Sequence, residues 1–246
     1  DLAQHAQVTS LAANPAQPSE IWVCNRGNDS VSVVDTNSGM TTDEITVGVW
    51  PRTLAFSPDG SLVYVANQRG NVPVDVHFVT PFTGSEQRGT ISVIDVASKV
   101  VVNTITGVGT EPYGIAFAPN GAYFAVSGHR SATVELYDAV TNALLATHQY
   151  PRSMNIITSG TVADVDTNTD MIPDLAEPRA FVINSTSDKI YVTHLTPGFV
   201  SVLDVSLDGM GSPTGVSLGT SIDINEYAPH PIFNPVNVQT VQSQGT

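Results

Sequence analysis

The sequence is poor in cysteine and in charge, and it has no long hydrophobic segment. Its 246 residues contain a single cysteine, Cys24, so no internal disulfide can form. Charged residues make up 13% of the chain, about half of the roughly 25% that is typical of globular proteins. The longest apolar runs, such as residues 62–66, are four or five residues long, whereas a membrane-spanning helix needs about 20. These absences exclude a disulfide scaffold and a helical membrane span.

Basic residues are also scarce. Two lysines and seven arginines face 23 acidic residues, which gives a formal net charge of −14. A protein that neutralises nucleic-acid phosphates needs a large basic surface, so we expect no nucleic-acid partner. A net charge far from zero keeps a protein soluble, and we expect an extracellular, cell-surface or periplasmic location.

The main positive feature of the sequence is a repeat. A short β-type run ends in a polar residue in four copies, at residues 21–25, 63–67, 123–127 and 190–194. A second run then closes on Asp35, Asp95, Asp138 or Asp204. The closing Asp follows after 10 or 11 residues in three copies and after 28 in the second copy, so the underlying period is 42 to 43 residues.

Further β-type runs surround each repeat. Residues 54–60 and 115–121 each place Pro, then Asp or Asn, then Gly after an apolar run, which predicts a tight turn between two strands. Four short strands per unit at a period of about 42 residues are typical of a propeller blade. No segment has a helical period. The sequence therefore predicts an all-β fold, a β-propeller of four-stranded antiparallel blades.

We assign residues 1–246 to a single propeller domain with repeats at about 6–50, 51–110, 111–150 and 178–220. Residues 68–88 are predicted to form an inserted loop or hairpin, and residues 152–177 a second inserted loop. Residues 221–246 are an irregular tail or the start of a next blade, because 229–235 resembles 51–58. Four repeats and the start of a fifth predict either a small closed ring of four or five blades or part of a larger propeller.

The second insertion has the spacing of a calcium site. Counting from Asp166, oxygen-bearing side chains fall at positions 1, 3, 5, 9 and 12, and position 7 can offer a backbone carbonyl. The predicted ligands are Asp166, Asn168, Asp170, Ile172, Asp174 and Glu177. Position 6, usually Gly, is Met171. The alternative is an acidic surface loop without a metal.

Two family resemblances follow from these motifs. Residues 51–60, Tyr64 to Asn67, Ile91 to Asp95 and Tyr191 to Thr193 resemble the YVTN family of β-propeller repeats. That resemblance implies a secreted or surface-layer-like propeller of the kind known from archaea and bacteria. Propellers of this family commonly have seven blades, so the resemblance also implies that the chain is part of a seven-bladed propeller unless the ring closes with four or five. Residues 164–177 resemble the calcium loops of thrombospondin type 3 repeats, which implies calcium as the cofactor.

The function that we expect from the sequence is a calcium-stabilised structural or binding module. Its partners would be proteins or glycans, bound through loops on one face of the propeller. The sequence lacks the Gly-x-Ser-x-Gly, phosphate-loop, haem-attachment and zinc motifs, so we assign no catalytic residue. The alternative is an extracytoplasmic enzyme or electron-transfer subunit, resembling lactonases or the haem d1 and amine-dehydrogenase propellers.

Two further observations bear on that alternative. Such enzymes would carry His, Arg or carboxylates at the start of their innermost strands, and the sequence offers Arg52, Tyr113 and Arg179 there. His129 and His194 fall at the same corner of successive repeats and could share a metal. The commoner role of a histidine at a strand end is a polar cap.

Overall fold

A computed structural model describes residues 7–70, 88–150, 178–194 and 199–223 of the chain, and the account below concerns these residues. They form sixteen strands and no helix. The strands are β1 (Val8–Ala13), β2 (Glu20–Asn25), β3 (Ser30–Asp35), β4 (Met40–Thr46), β5 (Pro51–Phe56), β6 (Leu62–Asn67), β7 (Arg88–Asp95), β8 (Val100–Thr110), β9 (Pro112–Phe117), β10 (Tyr123–Gly128), β11 (Thr133–Asp138), β12 (Leu144–Gln149), β13 (Pro178–Ile183), β14 (Lys189–His194), β15 (Phe199–Leu207) and β16 (Pro213–Asp223).

Consecutive strands form four separate antiparallel sheets of four strands each, here called blades 1 to 4. The predicted all-β propeller of four-stranded antiparallel blades is confirmed. The first strands of successive blades, β1, β5, β9 and β13, pack against one another and are therefore nearest the propeller axis.

The turns explain why the strands end where they do. Gly60 and Gly121 have φ angles of 72° and 73° in the turns between the first and second strands of blades 2 and 3. A glycine has no Cβ and adopts this left-handed conformation without a steric penalty. Asp59 holds the first of these turns, since its Oδ1 accepts a hydrogen bond from the backbone N–H of Ser61 at 3.1 Å.

Three hydrophobic cores lie between neighbouring blades. Trp22 and Val33 of blade 1 pack with Val63 and Val65 of blade 2. Blades 2 and 3, and blades 3 and 4, are joined in the same way. Because each sheet buries one face against the next blade, the propeller is stabilised by nearest-neighbour contacts.

The sequence was less informative about the outermost strands. Its pattern indicates a fourth β-type run at residues 45–48 in blade 1 and none in blade 3, whereas β4 begins at Met40 and blade 3 has β12. Both are edge strands, each paired with a neighbouring strand along one edge only, and both have exposed polar residues. The hydrophobic alternation that marks a strand is weak there.

Several predicted segments lie outside the described residues. These are most of the 68–88 insertion, the 152–177 insertion with its predicted calcium ligands, and the tail after residue 223. In the part of the chain that is described, no helix is long and apolar enough to cross a membrane.

Candidate functional site

The blades have two chemically different ends. At one end the first and third strands of every blade begin, and at this end lie all six arginines of the described residues, so we call it the arginine end. They are Arg26, Arg52, Arg69, Arg88, Arg130 and Arg179. At the opposite end lie both lysines and most of the carboxylates of the described ranges, many of which sit in turns. A chain with a net charge of −14 thus concentrates positive charge at one end.

The second residue of each first strand occupies the same register position. Pro51 pairs with Asn67 and Pro112 with Gly128, and each is followed by the equivalent residue, which is Arg52 in blade 2 and Tyr113 in blade 3. The same position is Thr9 in blade 1 and Arg179 in blade 4. A cavity of about 190 Å³ is lined by residues from all four first strands, among them Arg52 and Tyr113.

Arg52, Tyr113 and Arg179 form one cluster at the mouth of this cavity. Both arginines donate a hydrogen bond to the phenolic oxygen of Tyr113, Arg179 from Nη1 at 3.1 Å. Their Cζ atoms lie 4.2 Å (Arg52) and 4.8 Å (Arg179) from the centroid of the Tyr113 ring. Such cation–π contacts hold each guanidinium in place. Among the described residues, neither guanidinium forms an ion pair with a carboxylate.

The backbone of Arg179 is fixed by blade 3. Ser127 Oγ donates a hydrogen bond to the carbonyl oxygen of Arg179 at 2.6 Å and accepts one from the backbone N–H of Gly114 at 2.7 Å. A Cβ on Gly114 would lie 2.2 Å from that carbonyl oxygen, so only glycine permits this approach. The position of Arg179 at the axis therefore depends on Gly114 and Ser127.

Glu111, two residues before Tyr113, has its carboxylate at the arginine end. Glu111 Oε1 is 3.2 Å from Arg130 Nε, and its Oε2 is 3.7 Å from His129 Nδ1. Burial raises the pKa of Glu111, but hydrogen bonds and the positive charge of His129 and Arg130 outweigh burial, and the net pKa is below its ordinary value. The His129 ring lies 5.8 Å from the Tyr113 ring. This carboxylate is therefore ionised at neutral pH.

A second aromatic residue at the arginine end also carries two guanidinium groups. The Cζ atoms of Arg26 and Arg69 lie 3.9 Å and 3.6 Å from the Trp50 ring centroid. Trp50 has a φ of 59°, a conformation that is uncommon for a bulky residue. Asp29 Oδ1 holds it by accepting a hydrogen bond from the Trp50 backbone N–H at 2.9 Å.

Polar residues at the ends of the second strands hydrogen-bond to the third strands. In blades 1 and 2 the last residue of the second strand is an asparagine that hydrogen-bonds to a serine of the third strand, Asn25 to Ser32 at 2.6 Å and Asn67 to Ser92 at 2.9 Å. These pairs tie two strands of a blade together near their ends.

His194 takes the place of that asparagine in blade 4. Its Nε2 lies 2.8 Å from Ser201 Oγ, which also bonds to Tyr150 Oη at 2.6 Å. His129 instead lies beside Glu111. Groups of three or more metal-binding side chains are absent from the described residues, and the two histidines contact different residues there.

The structure places the predicted residues as follows. Arg52, Tyr113 and Arg179, which the sequence offered for the first-strand positions, come together around one phenol. The six predicted calcium ligands lie outside the described residues. Cys24 is fully buried, and burial raises the pKa of its thiol to about 12, so it is a core residue and a poor nucleophile.

Sequence reasoning missed Trp50 and Glu111. Each directly precedes the proline that begins a first strand, and both have positive φ angles. The sequence did contain a signal, because Trp50 and Glu111 occupy equivalent positions, directly before Pro-Arg or Pro-Tyr. Side chains at the entrance of each first strand must lie at the same end of the propeller.

Comparison with known families agrees with the architecture. The model of a family described as lactonase, 7-bladed beta-propeller matches residues 15–93. The matched residues run from the first turn of blade 1 into β7 and do not include Tyr113 or Arg179. The match covers a little under a third of the chain, and it supports a β-propeller fold. No curated protein matches the chain.

Proposed function

We propose that this protein is a propeller binding module that captures anionic groups at its arginine end. The observation that carries the proposal is the pair of guanidinium groups, Arg52 and Arg179, held on Tyr113 at the mouth of the axial cavity. Guanidinium groups present a planar set of N–H donors that matches a carboxylate or phosphate. Neither has a carboxylate partner in the described ranges, so both can receive a ligand.

Arg52 and Arg179 carry like charges and lie on the same ring. Two cations that share one phenol repel each other, and burial at a cavity mouth strengthens that repulsion because fewer water molecules screen it. An anion between them removes the repulsion. The rest of the molecule is acidic, and that net charge already keeps the protein soluble. Anion binding therefore explains the positive cluster better than solubility does.

The remaining parts of the proposal rest on the sequence. We assign the module to an extracellular, cell-surface or periplasmic setting with protein or glycan partners, on the basis of its acidic composition and its resemblance to YVTN-repeat propellers. We also assign one calcium ion to Asp166, Asn168, Asp170, Ile172, Asp174 and Glu177, on the basis of their spacing.

Titration with a small carboxylate tests the anion site. Galacturonate should bind saturably in isothermal calorimetry, and Arg52→Thr with Arg179→Thr should weaken binding at least tenfold, since two charge-assisted hydrogen bonds are lost. Threonine is the residue that blade 1 carries at this position, Thr9, so the change fits the repeat. Arg88→Gln is the control, because Arg88 lies at the same end and donates to the Gly107 carbonyl. Equal affinity in both variants would remove the proposal.

Calcium is tested separately. The melting temperature should rise with added calcium and fall with EDTA, because a ligand that binds only the folded state stabilises it. Asp166→Asn with Asp170→Asn should abolish the response. A wild-type protein whose melting temperature is the same in calcium and EDTA has no such site.

Lactone hydrolysis is the second candidate function. The match to a lactonase family favours it, and so does the position of Glu111 beside His129, whose ring lies 5.8 Å from the Tyr113 ring. Glu111 would take a proton from an attacking water, and the Tyr113 cluster would stabilise the negative charge that develops on the carbonyl oxygen. The ring C–O bond then breaks, and the leaving oxygen takes up a proton to give the open hydroxy acid.

A pH-indicator assay with simple lactones separates the two functions. Hydrolysis that disappears in Glu111→Gln would establish the enzyme. Binding of galacturonate by a protein that opens no lactone faster than buffer does would leave the binding module as its function.

A further inference from the structure

We propose that the arginine end binds an acidic polysaccharide, with one carboxylate at Arg52 and Arg179 and a second at Arg26 and Arg69. This inference rests on the proposed anion site and adds a ligand class and a second subsite. The two subsites are built alike, since in each an aromatic ring carries two guanidinium groups, Tyr113 at the axis and Trp50 further out.

Trp50 organises the outer subsite. Its left-handed φ of 59° places the indole between the loop after β2, which carries Arg26, and the loop after β6, which carries Arg69. Strained backbone of this kind persists where the surroundings enforce it, and it is common at binding sites. Packing on the indole keeps both guanidinium planes in fixed orientations. Arg26 Nη1 also donates a hydrogen bond to Gln7 Oε1 at 3.5 Å.

Negative charge compensates the outer guanidinium groups only in part. Burial and then the neighbouring Arg52 and Arg69 lower the pKa of Arg26, and these effects outweigh that of Glu111, which raises it. Burial also lowers the pKa of Arg69, with Glu111 acting in the opposite direction. In the described ranges neither arginine forms an ion pair. Anions bound here would relieve the mutual repulsion, as at the axis.

The two subsites are near each other, because Trp50 and Arg52 are separated by a single residue, Pro51, at the start of β5. One ligand with regularly spaced carboxylates can therefore occupy both. When two such groups are linked, the second binds at a high effective concentration, and affinity rises well above that of one group.

The surroundings favour a sugar acid over other polyanions. The acidic remainder of the protein would repel the long, densely charged backbone of a nucleic acid. A protein partner needs apolar anchors in the centre of its interface. Both aromatic rings are already covered by guanidinium groups. Several of the most exposed apolar side chains lie at the opposite end of the blades, in turns or at the first residues of strands, namely Met40, Val100, Val140, Leu144 and Met210.

The test compares galacturonate, tetragalacturonate, the neutral maltotetraose and tetraglutamate by calorimetry with the whole chain. Tetragalacturonate should bind at least about tenfold more tightly than galacturonate, and maltotetraose should not bind. Arg26→Gln with Arg69→Gln should reduce the tetramer to the affinity of the monomer, while galacturonate should still bind saturably at the axis, which also shows that the variant is folded. Arg88→Gln should retain the gain.

Three results would overturn the inference. The first is a tetramer that binds no better than the monomer, and the second is a gain that survives in the Arg26→Gln and Arg69→Gln variant. The third is tetraglutamate that binds as tightly as tetragalacturonate, which would indicate an acidic peptide. Absence of any galacturonate binding would instead remove the proposed function itself. If the glutamine variant does not fold, Arg69→Lys alone keeps the charge but loses the planar donor set, and it should still reduce the tetramer gain.

Discussion

His194 shows how a single substitution within the repeat changes the response to pH. It fills the position at which blades 1 and 2 carry asparagine, and it keeps the bond to a third-strand serine. Burial lowers the pKa of His194 from 6.5 to about 4. The folded protein therefore holds this imidazole neutral at pH values at which the unfolded chain would protonate it.

We predict that His194→Asn reduces the acid sensitivity of folding. The stability contributed by the neutral imidazole is fully present above pH 6.5 and is lost as the pH falls from 6.5 to about 4, because only the unfolded state takes up the proton there. Urea denaturation at pH 7.0, 5.5 and 4.5 should give a smaller loss for the variant than for the wild type. The comparison cancels carboxylate titrations common to both proteins. Equal losses would contradict the assigned environment of His194.

At the residue scale, the sequence indicated which residues belong to the candidate site better than it indicated what those residues contact. Arg52, Tyr113 and Arg179 could be selected because the repeat aligns them, and the structure joins them. Their mutual contacts could not be predicted, since these depend on the angle between blades. Trp50 became a candidate only once its backbone conformation was known.

The blade interfaces contain the hydrophobic cores of the described residues. Trp22, Tyr64 and Tyr191 share one register position, opposite Val33, Val93 and Val202 respectively. Trp22 and Tyr64 are fully buried, and each meets a phenylalanine of the next blade, with ring centroids 5.7 Å (Trp22 to Phe56) and 5.0 Å (Tyr64 to Phe117) apart. Tyr191 in blade 4 is partly exposed.

We predict that Tyr64→Ala costs much more than Tyr191→Ala. Removing a fully buried aromatic ring leaves a cavity and costs about 3–5 kcal/mol, whereas a partly exposed ring loses less apolar contact. The free energies of unfolding in urea, measured at pH 7 for both variants, provide the comparison. Tyr191→Ala should leave the transition within about 2 kcal/mol of the wild type. A cost as large as that of Tyr64→Ala would show that the blade 4 face is fully covered.

The junction of β9 and β13 yields a prediction that links packing to binding. Gly114→Ala places a Cβ 2.2 Å from the carbonyl oxygen of Arg179, so β13 must move away. We expect galacturonate affinity to fall together with the melting temperature, since Arg179 leaves the Tyr113 cluster. Gly215→Ala is the matched control, because no atom lies within 4 Å of the added Cβ. Retained affinity in Gly114→Ala would mean that Arg179 is not needed.

At the element scale, the predicted strands were accurate where both faces of a strand are packed, as in β6 and β10. The outer strands were harder, because β4 and β12 have few buried side chains to produce a hydrophobic period. Pairing with the third strand, and not side-chain burial, determines where these strands lie. Sequence patterns do not encode that pairing strongly.

For the whole molecule, the separation of charge between its two ends has a kinetic consequence. Six arginines at one end and most of the described carboxylates at the other produce a field that orients an approaching anion toward the axis. We predict that association with tetragalacturonate slows at least several-fold between 20 and 300 mM salt, because salt screens this field. Stopped-flow measurements would show it. Lys99→Gln, a charge change at the opposite end, should leave the rate nearly unchanged, and an equal effect of Lys99→Gln would argue against steering.

The central claim is that Arg52 and Arg179 together receive an anion at the propeller axis. Nitrogen-15 NMR of the arginine side chains tests it most directly, because each Nε–Hε group reports on its own hydrogen bonds. On titration with galacturonate, the resonances of Arg52 and Arg179 should shift saturably and with the same dissociation constant, while Arg88 stays in place. Shifts at neither residue, or shifts of equal size at all arginines, would contradict the account.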